Sequence, residues 1–494
     1  MLKPLPKKLN NNGLNNIFKL KNWGYYLNSK TLNYAIVGLF SLLLVGCDSS
    51  NNETDDNNEE EDISIIEDET ANSSDDVLIS PISCNATYPI EFSEISNETT
   101  TTSTAELAYI IDGDKTNKSS WASDDTSQVL IAELNEAALI KEFVISWRTQ
   151  SVSYYYDIDL STDKENWINV IQTGQSETNY IIAKRIELEE KAQTAKYVRI
   201  SLNGNSLNNQ NNITEIEAFG CTKDTSHNIE LIDWYLSVQT DEDDNGKSDS
   251  IKENDLDNGY FDPRFFYVSE DNGLVFSSTV QGFRTSTNTS YVRSELREML
   301  RKGNTSYNTQ GVNKNNWVFS TAPDSDLENA GGIDGTLDVE VAVNEVTSTG
   351  DDYQIGRVII GQIHANDDEP VRLYYRKLPN NDKGSIYIAH ERLEGDDTYY
   401  ELIGSRSDNA SNPSNGIALD EKFSYQIKVV GHDLTVTITK GDGEVFTKLV
   451  DMSDSNYDQG GQYMYFKAGV YNQNNSGDIH DFVQATFYKI DNTH

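Results

Sequence analysis

Through most of the second half of this chain, polar and apolar side chains alternate over short runs. A period of two marks β-strands, which send successive side chains to opposite faces. The runs are Leu274–Ser277, Tyr291–Met299, Asn316–Ser320, Thr336–Val343, Arg357–His364, Arg372–Arg376, Ser385–His390, Phe423–Val430, Asp433–Lys440, Tyr463–Tyr471 and Phe482–Ile490. Turn-rich pieces such as Gly441-Asp442-Gly443 separate them. So many strands with so few helical stretches predict an all-β fold, a two-sheet sandwich of jelly-roll type. One curved sheet would then carry the alternating polar residues on a concave surface.

Three of these segments hold the side chains with chemistry. They are Arg293-Ser294-Glu295-Leu296-Arg297-Glu298, Gln362-Ile363-His364, and Tyr465-Phe466-Lys467-Ala468-Gly469-Val470-Tyr471-Asn472-Gln473. Alternation puts Arg293, Glu295 and Arg297 on one face, Gln362 and His364 on one face, and Lys467, Tyr471 and Gln473 on one face. If the three strands line one cleft, they present cations, an amide, an imidazole and a phenol. Such a set suits an anionic substrate and proton transfer. Singly, each feature has a plainer reading. Arg-Glu-Arg on a strand is often a surface ion-pair ladder, and Tyr471 is one of 27 tyrosines. Their conjunction is what points to a site.

The formal net charge of −41 argues against nucleic-acid binding, which calls for a basic footprint. An anionic substrate must therefore meet a local basic cleft in an acidic body. Residues 1–46 place lysines ahead of an apolar run from Tyr34 to Gly46, the layout of a secretory signal. The run ends Leu44-Val45-Gly46-Cys47 and resembles a bacterial lipoprotein lipobox, which implies lipidation of Cys47, a membrane anchor and a place at the outer membrane or cell surface. Residues 47–80 are rich in Asp, Glu, Asn and Ser and read as a flexible acidic tether. With Cys47 set aside, Cys84 and Cys221 remain. In an exported chain they are expected to form one disulfide across a domain-sized loop.

Residues 81–222 carry a second set of strand-like runs: Ile140–Trp147, Tyr155–Ser161, Ala183–Leu188, Tyr197–Leu202 and Ile213–Gly220. Their spacing predicts a β-sandwich. Its landmarks are Ile111-Asp112-Gly113-Asp114 with Trp121, Ser161-Thr162-Asp163 with Trp167, Lys196-Tyr197-Val198-Arg199-Ile200, and Thr214-Glu215-Ile216-Glu217-Ala218-Phe219-Gly220-Cys221. These resemble the discoidin-like (F5/8 type C) fold of carbohydrate-binding module family 32. The resemblance implies a structural calcium held by Asp112, a backbone carbonyl near Asp114, and Glu215, with Thr116 or Asn117 as a hydroxyl or amide ligand. Further on, Asp241-Glu242-Asp243-Asp244-Asn245-Gly246-Lys247-Ser248-Asp249 has the opening spacing of an EF-hand loop, but Lys252 stands where the bidentate Glu belongs. An acidic turn and a calcium site are both open there.

Across 223–494 the three segments, in this order, resemble the signature segments of polysaccharide lyase family 7, the alginate lyases. The resemblance implies a concanavalin-like jelly roll that cleaves 4-linked uronate chains by β-elimination, with no metal or organic cofactor for catalysis. It implies catalytic roles for Gln362, His364, Tyr471 and an arginine. Arg297 is the first choice and Arg293 the second; Arg293, Glu295, Lys467 and Gln473 are expected to bind substrate. Isoleucine at 363 goes, in that family, with activity on guluronate-containing chains. A lyase for another uronan such as glucuronan, and a surface glycan-binding protein without activity, are the alternatives. A glycoside hydrolase needs two carboxylates flanking the scissile bond, and no such pair stands out on the three strands. A monomer is expected.

Overall fold

The computed structural model describes Ile82, residues 84–99 and residues 104–494. The chain separates into two units, Met1–Asp76 and Val77–His494. Cys47, residues 1–46 and the whole acidic stretch of residues 47–80 lie outside the described residues. Among the described residues no helix is long and apolar enough to cross a membrane.

Nine strands between Tyr88 and Cys221 form one hydrogen-bonded sheet. It folds over itself because a single strand, Ser127–Trp147, runs for 21 residues and serves both layers. The neighbouring Gln193–Asn205 strand follows both of its halves, with a register shift between Glu133 and Ala138. Such a shift bends a strand and increases its local twist. Leu130, Phe143, Ile158, Val198, Ile200 and Ile213 are enclosed between the layers. Sequence alternation recovered only Ile140–Trp147 of the long strand. The reason is local: Asn135 and Glu136 are exposed at the shift and interrupt the pattern. Cys84 and Cys221 are disulfide-bonded, with Cα atoms 5.9 Å apart.

From Trp234 to Thr493 two larger sheets pack face to face. The outer one has seven strands in the order Phe266–Val268, Leu274–Thr279, Phe482–Thr493, Gly335–Glu345, Phe423–Val430, Asp433–Lys440 and Val445–Asp451. The inner one runs Asp249–Ile251, Trp234–Val238, Arg293–Glu298, Tyr465–Asn472, Arg357–His364, Val371–Arg376, Lys383–His390 and Thr398–Ile403. Trp234, Phe276, Leu337, Ile360, Tyr375, Ile427, Phe466 and Phe487 belong to the core they share. This is the jelly-roll sandwich that the alternation predicts.

Two edge strands, Thr398–Ile403 and Val445–Asp451, escape sequence reading. In the second, Val445 and Leu449 are more than half exposed, so its apolar residues do not mark a buried face. Asn316–Ser320 shrinks to Trp317–Val318, which pairs in parallel with Gly332–Ile333.

The two sheets differ in a way that matters for function. Asp433–Lys440 on the outer sheet alternates cleanly between buried and partly exposed. On the inner sheet both faces are largely buried: five of the six residues of Arg293–Glu298 are buried, including Glu295 and Arg297. Polar groups are seldom fully buried without partners, so such a face must be an organised network.

The disulfide closes a long loop, with 137 residues separating its cysteines. Removing it with Cys84→Ser and Cys221→Ser should lower the stability of the first sandwich by about 3–5 kcal/mol. Calorimetry should show an earlier transition for that domain, with activity of the second domain unchanged at 25 °C.

Candidate active site

The three signature strands are immediate neighbours in the inner sheet, with Tyr465–Asn472 in the middle. Their register sets the rows of the site. Arg293 lies opposite Tyr471, Glu295 opposite Gly469, and Arg297 opposite Lys467. On the other side Lys467 lies opposite Gln362, and Tyr471 opposite Ile359. Gly469 is required at its position. Its φ is +135°, and a Cβ there would stand 2.6 Å from the carbonyl oxygen of Ser294.

Glu295 is the hub. It is 1% exposed. Arg293 Nη1 donates to it at 2.9 Å, Lys467 Nζ pairs with the same oxygen, and Gln362 Nε2 donates to the other. Burial works to raise its pKa, but Lys467 and Arg293 outweigh burial and hold it below the usual carboxylate range. Lys467 is pulled down to about 8 by burial and by Arg293, against the opposing pull of Glu295. Three buried polar atoms beside this network have no hydrogen-bond partner: Arg293 Nε, Gln362 Oε1 and Gln473 Nε2. They are unspent capacity of the kind a polar ligand uses.

His364 is held in one tautomer. Its Nδ1 lies 2.6 Å from the carbonyl of Ala365, which can only accept, so Nδ1 carries the proton and Nε2 the lone pair. Tyr465 stacks on the ring, centroids 5.0 Å apart. Burial, then Lys467, pulls the imidazole down to about 3, so it is neutral at physiological pH. Tyr471 keeps its proton: burial raises it, although Arg293 opposes. The Arg293 guanidinium lies 3.6 Å from the centre of the Tyr471 ring, and Tyr291 meets that ring edge-on.

The two arginines differ in what they touch. Arg297 donates to the carbonyl of Glu298, to Met299 Sδ, to the carbonyl of Thr309 and to Asn316 Oδ1. Its guanidinium also covers the Tyr465 ring at 3.9 Å. Its donors are spent on the protein, and it braces the tyrosine that stacks on His364. Arg293 touches Glu295 and Tyr471 directly. The geometry therefore places Arg293, the second choice from sequence, against Glu295 and Tyr471, and Arg297 behind Tyr465. Ile363 is fully buried in the core and points away from this face.

One group escaped sequence reasoning. Glu369 Oε1 lies 3.4 Å from His364 Nε2, and its other oxygen lies 3.7 Å from Arg372 Nη1. It sits in the Asp367-Asp368-Glu369-Pro370 loop, which reads as an ordinary acidic turn. Burial, then Glu391, pushes its carboxyl up to about 7, while Arg372 and Lys467 oppose.

In the first sandwich, Asp112 Oδ1 accepts from the backbone of Asp114, and Asp112 Oδ2 accepts from Ser119 at 2.6 Å. Ser119, rather than Thr116 or Asn117, thus brings a hydroxyl to this carboxylate. Asp114 caps the backbone N–H of Thr116. Glu215 is buried, and its Oε2 has no partner. Burial, then Glu217, pushes it up to about 9, with Asp112 adding to the rise. Among the described residues, however, no group of three or more His, Cys, Asp or Glu side chains is arranged to hold a metal. In the 241–249 loop, Asp241 and Asp243 accept from the backbone of Asn245 and Gly246, which is how an acidic turn closes.

Residues 229–494 match the family model "Alginate lyase". The chain belongs to the alginate lyase family. Residues 92–219 match the F5/8 type C domain model. An alginate lyase from Klebsiella pneumoniae is 54% identical over 275 residues, which are 54% of this chain and 90% of that protein. The crystal structure of the alginate lyase from Klebsiella pneumoniae superposes with a TM-score of 0.53 at 54% identity, over 54% of this chain and 96% of that one. An alginate lyase structure from Pseudomonas aeruginosa is 26% identical with a TM-score of 0.40, over 53% of this chain and 99% of that one.

In this lyase domain, Glu295→Gln would keep the shape of the hub and remove its charge. Arg293 and Lys467 would then be buried without a counter-ion. Urea unfolding of the domain should show a loss of about 3–5 kcal/mol. A change under about 0.5 kcal/mol, the scale of an ordinary surface substitution, would mean that Glu295 is not the organising charge.

Proposed function

We propose that the second domain cleaves alginate by β-elimination, and that guluronate-containing blocks are among its substrates. The observation that carries the mechanism is a neutral imidazole and a protonated phenol beside the Glu295 hub on neighbouring strands of one sheet. In 4-linked uronates, elimination removes the proton on C5, beside the carboxylate, and expels the oxygen on C4. The C5 proton is weakly acidic while its carboxylate keeps full charge, so donors must stabilise the charge that builds there. Arg293 supplies that charge, with Lys467 beside it and the free amide N–H of Gln362 completing the pocket. His364 Nε2, with its lone pair exposed by the Nδ1 contact, takes the C5 proton. Tyr471 gives its proton to the departing O4. In guluronate the two groups leave from opposite faces, which suits two separate residues. In mannuronate they leave from one face, and Tyr471 serves both. The steps use side chains alone.

Exposure to alginate should give rising ultraviolet absorbance from the new conjugated double bond. Tyr471→Phe should lower kcat by at least about 100-fold with KM changed less than about threefold. Full activity in that variant would remove Tyr471 from the chemistry, and absence of any absorbance rise would remove the lyase reading.

The first sandwich is proposed to hold a glycan, by its F5/8 type C likeness, and to take one calcium ion at the Asp112–Glu215 corner. The support is the unpartnered, buried oxygen of Glu215 in a cluster of carboxylates. Calcium would offset the burial and the repulsion from Glu217 and Asp112 that keep Glu215 protonated. The expected result is a higher melting temperature of this domain in millimolar calcium than in chelator. Glu215→Gln should erase the difference; an equal shift in the variant would place the ion elsewhere.

A further inference from the structure

His364 can accept a proton but is poorly placed to keep one. Its surroundings disfavour an imidazolium, because it is buried and faces Lys467 and Arg293. After each C5 abstraction it must discharge before the next turnover. Glu369 Oε1, 3.4 Å from Nε2, is the anionic group in contact with that nitrogen. We propose that Glu369 is a proton relay for His364, taking the proton that the imidazole received from C5 and handing it to water. This rests on the lyase reading above.

The surroundings of Glu369 suit that task. Arg372, from the Val371–Arg376 strand, faces its second oxygen and keeps the carboxylate aimed. Arg372 is itself held by Asp397 at 2.6 Å and approached by Glu391. The backbone N–H of Glu369 donates to Glu391 Oε2 at 3.2 Å, which fixes the loop. From the Tyr465–Asn472 strand, Lys467 attracts the charged form, while Tyr471 and, from the next strand, Arg293 also feel Glu369. Asp368, in its own loop, and Tyr457 complete the titratable groups around it. Cations and carboxylates thus nearly balance, and the side chain keeps 21% of its surface exposed. A carboxyl that titrates near neutrality can both accept and release a proton at working pH.

The step balances. The C5–H bond breaks, its electron pair forms the C4–C5 double bond, and the C4–O bond breaks as O4 takes the Tyr471 proton. The C5 proton moves to Nε2, then to Glu369 Oε1, then to water, while the Tyr471 phenolate regains a proton from water. Between turnovers Glu369, having released its proton to water, is again a carboxylate able to take the next one, and Nε2 keeps its lone pair for C5. Acting through His364, Glu369 is a positioning and relay residue.

The test uses the full chain with Glu369→Gln, on guluronate-rich and mannuronate-rich alginate, between about pH 5 and 9. On guluronate, kcat should fall about 10- to 100-fold with KM within about threefold, and the rise of kcat through neutrality should flatten. On mannuronate, where Tyr471 makes both transfers, kcat should stay within about threefold. In Glu369→Ala, added formate should recover guluronate activity at least about fivefold. Unchanged kcat and pH profile in the Gln variant, or equal loss on both substrates with no formate rescue in the Ala variant, would overturn the relay. If the wild-type chain releases no unsaturated product from either alginate, it is the lyase reading that fails.

Discussion

Everything in the catalytic face depends on one buried negative charge. Glu295 lies against Arg293, Lys467 and Gln362. Taken alone, each of these charges would be costly to remove from water. Held together they form a cluster of two cations and one anion, with one positive charge in excess. That excess charge, with burial, lowers the proton affinity of His364, and in the proposed mechanism it draws a uronate carboxylate. The same charges that are proposed to bind the substrate therefore help keep the imidazole neutral. The cluster exists only if three strands meet in one register, because a slip of one residue would turn Arg293, Lys467 and Gln362 to the opposite face.

Much of this was legible in the chain. Period-two alternation placed Arg293, Glu295, Gln362, His364, Lys467 and Tyr471 on common faces, and the inner sheet gathers those faces. What alternation could not say is which polar groups spend their hydrogen bonds internally. Arg293 and Arg297 are equivalent by position. They separate only when Thr309 and Asn316, from a loop, are seen to absorb the donors of Arg297. Glu369 was hidden for a related reason. It lies in a loop of acidic residues, and loops have no period that could aim one carboxylate at an imidazole. The edge strand Val445–Asp451 and the long strand Ser127–Trp147 were blurred where apolar residues face solvent or a register shift breaks the pattern.

The first sandwich is built on a different principle. Its sheet closes through one long, shifted strand and is tied at its ends by Cys84 and Cys221. Its buried carboxyl without a partner for one oxygen, Glu215, lies within the Asn211–Cys221 strand, opposite Ser146. The two buried carboxyls differ in their partners: Glu295 is met by Arg293, Lys467 and Gln362, whereas Glu215 Oε2 has no hydrogen-bond partner in the protein.

The order of strands has a consequence for how the molecule comes into being. In the inner sheet Tyr465–Asn472 separates Arg293–Glu298 from Arg357–His364, although it comes after both in the chain. Until that segment inserts, the other two signature strands have no common neighbour, and Glu295 lacks Lys467. A chain emerging residue by residue is therefore chemically silent for nearly its whole length. His364, Tyr471 and the Glu295 cluster come together only when the Tyr465–Asn472 strand closes the gap.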